Sequence, residues 1–187
     1  MRRKTERGGF TMVELLGVIG VIAVLLAILF PALVGASRKG KISQALSECS
    51  GLDSALQSYY REYGVYPAIG SSTYDSGLES TSGGLETDKD LVAILRGENL
   101  FSQNPRRLTF MDIPQDQIDA DDADDPDDGP FIDPWGEPYR FMCDFDFNGT
   151  LEITLENGES LEMRRGVGVW SLGPGDDLKE GDIASWK

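Results

Sequence analysis

The sequence predicts an α+β fold in which one long N-terminal helix packs on a small antiparallel sheet. Two observations predict it. Apolar residues recur at spacings of three and four up to about Tyr63, which is the period of an α-helix. Residues 131–187 instead form short strand-like runs separated by turn residues. Three or four antiparallel strands are enough to cover the apolar stripe of such a helix.

Composition narrows the function. The 187 residues include 17 Lys and Arg against 32 Asp and Glu, for a formal net charge of −15. Such a chain repels DNA, so we expect no nucleic-acid partner. The sequence contains no histidine, which excludes Ser-His-Asp and Cys-His catalysis and every metal site that needs histidine. No convincing acid pair replaces them, and we predict that the protein is not an enzyme.

The N-terminal segment has the pattern of a membrane span. Residues 1–9 hold four Lys or Arg against one Glu, and residues 10–34 contain a single ionisable side chain, Glu14. A helix over residues 10–34 measures roughly 37 Å, enough to cross a bilayer with some tilt. We take the helix to continue from about Thr11 to about Tyr63, with a kink at Pro31, where a backbone hydrogen bond is lost.

Two ordinary interpretations of this segment leave Glu14 unexplained. A secretory signal peptide has an apolar region of about 7–15 residues and a small-residue cleavage site, whereas this run is longer and leads into Pro31 and Gly35. A plain signal anchor fits the basic residues before the span, but three basic residues also follow it closely. A carboxylate inside an apolar span is costly and marks a function. Its partner must come from a chain terminus, a lipid or another molecule.

The segment GGFTMVELL at residues 8–16 resembles the cleavage and methylation signal of type IV prepilins and pseudopilins. The resemblance implies that a prepilin peptidase cuts between Gly9 and Phe10 and that Phe10 is then N-methylated. In that family the glutamate that matches Glu14 meets the N-terminal amine of a neighbouring subunit. Many members have a basic residue directly before the last glycine, where this chain has Gly8; we expect cleavage all the same.

The physics of a buried charge agrees with that role for Glu14. Cleavage after Gly9 would create a cation at Phe10, four residues away. In a staggered fibre each Glu14 can pair with the amine of the next subunit, away from water. Burying either charge alone costs on the order of several kcal/mol, so the pair selects one register.

The resemblance also implies a domain organisation and a function. The chain would be a structural subunit of a type II secretion pseudopilus, held in the bacterial inner membrane by one span, with its C-terminal domain in the periplasm, and then assembled into a fibre. Its partners would be other copies of itself, prepilin peptidase, inner-membrane secretion or pilus assembly proteins, and membrane lipid. The segments are a leader at 1–9, a transmembrane and assembly helix at 10–34, and a periplasmic domain at 35–187 made of the second half of the helix (35–63), a variable acidic region (64–130) and a C-terminal sheet and loop (131–187).

Two alternatives to a pseudopilin stay open. One is a type IV major or minor pilin used for adhesion, motility or DNA uptake. The other is a membrane-anchored calcium-binding receptor with the same leader, which should not depend on Glu14 for assembly.

The exported part has recognisable elements. The apolar stripe of the helix should pack on the sheet, and GVYP at 64–67 should end the helix. Residues 70–84, rich in Ser and Gly, are predicted to be a loop. Thr87 or Asp88 can cap a short helix at 88–95. Further strands are expected at 108–113, after the turn in 133–142, on both sides of Asn157-Gly158 in 151–163, and at 166–172. The predicted stripe comprises Ile42, Ala45, Leu46, Cys49, Leu52, Leu56, Tyr59, Tyr60 and Tyr63.

Two features allow a structural or a functional interpretation. Cys49 and Cys143 fit two buried thiols, and a single disulfide is the alternative if both reach an oxidising compartment. Residues 112–128 hold nine aspartates and no basic residue. Their composition favours a solvated acidic loop, and the alternative is a lobe that binds cations or faces a partner.

The C-terminus has two interpretations, a calcium-binding loop and a plain acidic loop. SLGPGDDLKEGDIASW at 171–186 resembles the end of major pseudopilins, with WG-x-PY at 135–139 adding to the match. The resemblance implies calcium ligation by Ser171, the carbonyl of Leu172, Asp176 or Asp177, and Asp182, and hard oxygen ligands suit that ion. The loop is shorter here than in the family. DFDFNG at 144–149 matches half of an EF-hand loop, but Leu155 stands where the bidentate glutamate belongs, so a turn between strands is predicted there.

Overall fold

The computed structural model describes residues 12–68, 84–119, 129–154, 158, 160–175 and 183–187. Several predicted features lie outside these residues: the cleavage site at Gly9 and Phe10, nearly all of the Ser- and Gly-rich loop, the centre of the acidic segment, and Asn157. The chain divides into two compact units, Met1–Gly40 and Lys41–Lys187. Helix α1 contributes to both.

Helix α1 runs over Met12–Tyr63, within one residue of the predicted limits. It ends as expected at Gly64, which has a φ of 73°, a left-handed conformation that glycine adopts without steric cost. The Gly64 N–H donates to the carbonyl of Tyr60 and closes the last turn.

The apolar stripe on the second half of α1 faces the core of the Lys41–Lys187 unit. Its central side chains are at most 1% exposed, and they pack against residues of the sheet and its flanking loops such as Phe131, Tyr139 and Phe141. The predicted packing of helix on sheet is therefore confirmed. The fully buried members of the predicted stripe are Ala45, Cys49, Leu52, Leu56 and Tyr59.

Two antiparallel sheets accompany the helix. The strands are β1 (Leu85–Glu86), β2 (Arg140–Cys143), β3 (Leu151–Thr154), β4 (Ser160–Met163), β5 (Val167–Ser171) and β6 (Ile183–Ala184). One sheet has the order β1-β2-β5-β6, and β3 pairs with β4 in a second sheet of two strands. The predicted strands after residue 133, around Asn157-Gly158 and at 166–172 are confirmed.

The hairpin β3–β4 packs against one face of β5, opposite the face that packs in the core with α1. Successive side chains of a strand point to opposite faces, and all five residues of β5 are buried. Val167 and Val169 belong to the core under α1, whereas Trp170 packs in a second cluster with Leu151 and Ile153 of the hairpin. The hairpin therefore closes the far side of the four-stranded sheet.

Helix α2 spans Lys89–Arg96 and has the predicted cap. The carboxylate of Asp88 accepts a hydrogen bond from the N–H of Leu91 at 2.8 Å, which satisfies a donor of the first turn. Thr87, the other candidate cap, instead donates its hydroxyl proton to the carbonyl of Phe131. The apolar side chains of this helix are buried, namely Leu91, Val92, Ile94 and Leu95.

The predicted strand at 108–113 is wrong. The N–H groups of Phe110 and Met111 both donate to the carbonyl of Leu95, near the end of α2. This segment thus satisfies a carbonyl group that the helix C-terminus leaves open, and it makes no strand ladder.

Cys49 and Cys143 are both free and buried, which confirms the prediction of two buried thiols. Burial raises the pKa of the Cys49 thiol from 9.0 to about 12, and nearby carboxylates such as Glu48 add to the shift. Burial likewise raises the pKa of Cys143 well above its ordinary value.

These thiols predict a loss of stability at alkaline pH. Above about pH 9 the thiols of the unfolded chain lose their protons while the folded chain keeps them, so rising pH favours unfolding until the folded pKa is reached. Each thiol contributes a slope of up to about 1.4 kcal/mol per pH unit in that window. Urea unfolding between pH 8 and pH 10.5 measures it, and Cys49→Ala should make the slope shallower. An unchanged slope in that variant would contradict the assignment.

Candidate functional site

The first part of α1 presents an apolar surface. Every large hydrophobic side chain from Met12 to Val34 is exposed, from 48% at Ile22 to 91% at Met12. An 18-residue window of α1 reaches a mean hydropathy of 2.9, and the helix is long and apolar enough to cross a membrane. Exposed apolar surface of this extent marks contact with lipid or protein.

Glu14 interrupts this surface at the first turn of α1. It lines a shallow groove with Gly17, Val18, Val21 and Ile22, residues that recur at the helical period and so share one face. A carboxylate near the helix N-terminus interacts favourably with the helix dipole. Of the predicted processing and assembly residues, Glu14 is within the described part of the chain.

The second candidate site starts where β5 ends. Ser171 is 1% exposed, and its hydroxyl donates to Oδ2 of Asp133 at 2.5 Å. The Oγ of Ser171 in turn accepts a hydrogen bond from the N–H of Gly173 at 2.9 Å. Leu172, half-buried, lies between them. Asp176, Asp177 and Asp182, the other predicted ligands, lie outside the described residues.

Asp133 is the residue of this site that the sequence analysis did not single out. It is 4% exposed, and its Oδ1 accepts hydrogen bonds from the N–H groups of Trp135 at 2.9 Å and Glu137 at 3.0 Å. Its position directly before Pro-Trp-Gly was the available signal, because Asp side chains bond to the backbone two residues on in such turns. The turn was predicted, but the contact of its carboxylate with Ser171 depends on the fold.

The Asp133 turn is fastened to the second half of α1. Lys41 donates from Nζ to the carbonyl of Pro134 at 2.9 Å and stands 6.0 Å from the centre of the Trp135 ring. Tyr139 follows the turn and donates its hydroxyl proton to the carboxylate of Glu48. Burial raises the pKa of Tyr139, and the hydrogen bond to Glu48 raises it further. The hydroxyl therefore keeps its proton and stays a donor.

The described oxygen atoms at this site have the chemistry of ligands for a hard cation. A hydroxyl has one proton and two acceptor positions. At Ser171 the proton is directed at Asp133 and one acceptor position takes the Gly173 N–H, so the described residues leave one acceptor position for an ion. Hydroxyl, carbonyl and carboxylate oxygens are the ligands that calcium prefers. Within the described ranges, no three His, Cys, Asp or Glu residues cluster as a metal site.

The segment DFDFNG forms a turn between β2 and β3, as predicted. The carboxylate of Asp144 accepts hydrogen bonds from the N–H groups of Asn148 and Gly149, which closes the turn. Partial burial raises the pKa of Asp144, and a hydrogen bond with Asp146 adds to the shift. That carboxylate is therefore used within its own turn.

Comparisons with known proteins give pseudopilin and pilin relatives. The chain is 23% identical over 170 residues to the type II secretion system core protein G of Vibrio cholerae, covering 90% of this chain and 92% of the relative. It is 35% identical over 80 residues to core protein G of Escherichia coli, covering 43% of this chain and 52% of the relative.

A type IV major pilin protein, PilE of Neisseria gonorrhoeae, is 32% identical over 78 residues, covering 42% of this chain and 45% of the pilin. The matches to PilE and to the Escherichia coli protein thus span about half the length of those relatives. No protein-family model and no solved structure matches the chain. The chain is therefore similar in sequence to type II secretion core protein G and to type IV pilins, and its α+β architecture is a long helix on a small antiparallel sheet.

Proposed function

We propose that this chain is a structural subunit of a type II secretion pseudopilus, cut after Gly9 and polymerised through α1. One observation carries the proposal: the apolar side chains from Met12 to Val34 are exposed, whereas the stripe on the same helix from Ala45 to Tyr59 is buried by the chain itself. The exposed half requires lipid before assembly and copies of itself afterwards.

Assembly would exchange one apolar environment for another. In the bilayer, lipid covers the apolar half of α1. When the subunit leaves the membrane, the same surface must be covered by neighbouring helices, because its exposure to water is costly. Glu14 would fix the register by pairing with the Phe10 amine of the next subunit. Adding subunits at the base would then extend a piston that moves cargo outward.

The match to core protein G of Vibrio cholerae favours a pseudopilin over a type IV pilin. The similarity to core protein G of Vibrio cholerae extends over 92% of that protein, whereas the match to the gonococcal pilin covers 45% of it. A short fibre seen by electron microscopy supports the pseudopilin, and long surface fibres would favour the pilin.

We extend the proposal to calcium at the C-terminal loop. The ligands would be Ser171, the carbonyl of Leu172, Asp176 or Asp177, and Asp182. The support is the oxygen chemistry of these residues and the spare acceptor position of the Ser171 hydroxyl. A bound cation would also offset part of the formal charge of −15.

Mass spectrometry of the protein from bacterial membranes tests processing directly. We expect a mature chain that begins with an N-methylated Phe10. The matched control is the same chain expressed without prepilin peptidase, which should keep residues 1–9. A leader that persists beside the active peptidase, or a cut far downstream of Phe10, would overturn the proposal.

A further inference from the structure

We propose that Asp133 is the positioning residue of the calcium site, because it holds the Ser171 hydroxyl in the orientation that a cation needs. This inference rests on the calcium binding proposed above. It adds a residue that lies 38 positions before Ser171 and that the pattern of the C-terminal loop does not include.

The first step is the direction of the Ser171 proton. A serine ligates a cation through an oxygen lone pair, so its proton must point elsewhere. Here Oδ2 of Asp133 takes that proton at 2.5 Å. Without this acceptor the hydroxyl would rotate freely, and part of the time its proton would face the ion. A carboxylate that orients a ligand in this way strengthens metal binding.

The second step is the rigidity of Asp133 itself. Its other oxygen, Oδ1, accepts from two backbone N–H groups, those of Trp135 and Glu137. These bonds fix the carboxylate plane, and the Lys41 amine holds the same turn through the Pro134 carbonyl. The orientation of Ser171 is therefore set by a turn that is fastened to α1.

The third step is charge. Asp133 is 4% exposed, and the ion pairs within the described part of the chain do not include it. Among the described residues its donors are a hydroxyl and two backbone N–H groups, which carry no formal charge. A buried carboxylate of this kind is stabilised by a nearby cation. A calcium ion on the far side of the Ser171 oxygen would supply one.

The test is calcium affinity of the full chain, purified in mild detergent and stripped with EDTA. Isothermal titration with calcium, and terbium luminescence sensitised by tryptophan, give the apparent Kd. We expect Asp133→Asn to raise it about tenfold or more. The carboxylate has two acceptor oxygens, whereas the amide of asparagine has one. Either the Ser171 hydroxyl or the two backbone N–H groups therefore lose their acceptor. An unchanged Kd in this variant would overturn the inference.

Asp144→Asn is the matched control. Asp144 is 7% exposed and also accepts from two backbone N–H groups, but in its own turn. We expect its calcium affinity to equal that of the wild type. A loss as large as that of Asp133→Asn would mean that general destabilisation lowers affinity, and it would overturn the specific role.

A double-mutant cycle separates positioning from direct ligation. If Asp133 acts through Ser171, then Asp133→Asn combined with Ser171→Ala binds calcium no more weakly than Ser171→Ala alone. Additive losses would instead make Asp133 an independent contributor and overturn the positioning role. Asp133→Glu keeps the charge but displaces the oxygens; we expect a Kd between those of wild type and Asp133→Asn, and a wild-type value would contradict positioning.

Two further outcomes are distinguishable. If the wild-type chain does not bind calcium, both the calcium proposal and this inference fall. If it binds calcium and the Asp133 variants bind equally well, only this inference falls. Far-UV circular dichroism in EDTA verifies folding, and if Asp133→Asn does not fold, the Asp133→Glu result decides.

Discussion

Replacing Glu14 by alanine is expected to abolish fibre assembly while the protein still enters the membrane. Glu14 is the single ionisable side chain between Met12 and Val34, on a surface whose large hydrophobic side chains are all exposed. Once that surface is covered in a fibre, the Phe10 amine would be left without its counter-ion. Leaving one buried charge unpaired costs on the order of 3–5 kcal/mol, which exceeds a hundredfold in an equilibrium constant.

The measurement has two parts. Electron microscopy and a shearing assay count fibres, and membrane fractionation counts inserted subunits. Glu14→Gln keeps the shape and removes the charge, so it should fail like Glu14→Ala, whereas Glu14→Asp should recover part of the assembly.

The matched control for Glu14→Ala is Glu86→Ala. Glu86 is an exposed carboxylate of β1 that pairs with Arg140. The Glu86→Ala variant should assemble into fibres normally. Because the Arg140 side chain is itself only 14% exposed, urea unfolding of Glu86→Ala is measured beside its fibre yield to verify that the control is folded. Normal fibre yield from Glu14→Ala would remove the basis for polymerisation through a register-setting ion pair.

Helical elements were predictable from the sequence because their signals are local and strong. The apolar period of α1 extends over many turns, Gly64 marks its end, and Asp88 caps α2 from the position before it. The same holds for the hairpin around Gly158, where turn chemistry and alternating side chains agree.

Other elements depend on distant partners. Strands β1 and β6 are two residues each, and they exist because β2 and β5 offer open edges. Residues 108–113 have the composition of a strand but find their hydrogen-bond partner at the end of α2. A two-residue strand has no periodicity to detect, and a carbonyl left open by a helix end is visible only after folding.

The candidate calcium site shows the same division. Ser171 was predicted from its place in the C-terminal motif. Asp133 contacts it because β2 and β5 pair, with Arg140 opposite Trp170, which brings the turn before β2 next to the end of β5. The turn residues were recognisable from Pro-Trp-Gly, but their contact with Ser171 follows from strand register.

Leu56→Ala and Leu26→Ala should separate the two roles of α1. Leu56 is fully buried under the sheet, and Leu26 is 56% exposed on the apolar half of the same helix. Truncating a buried leucine removes transferred apolar surface and leaves a cavity, so we expect Leu56→Ala to lower the free energy of unfolding by about 2–5 kcal/mol. Leu26→Ala should change it by less than about 0.5 kcal/mol. Urea unfolding in mild detergent, followed by fluorescence of the buried Trp170, measures both.

Fibre yield should show the opposite order. Leu26 would be covered by a neighbouring helix only in the fibre, so its truncation removes contacts that exist between subunits and weakens assembly at every copy along the fibre. Leu56 makes its contacts within one subunit, and fibres of Leu56→Ala should form at temperatures where that subunit is still folded. If Leu26→Ala destabilised the isolated subunit as much as Leu56→Ala does, the apolar half of α1 would have to be packed within the chain. Its role as the surface that joins subunits would then be lost.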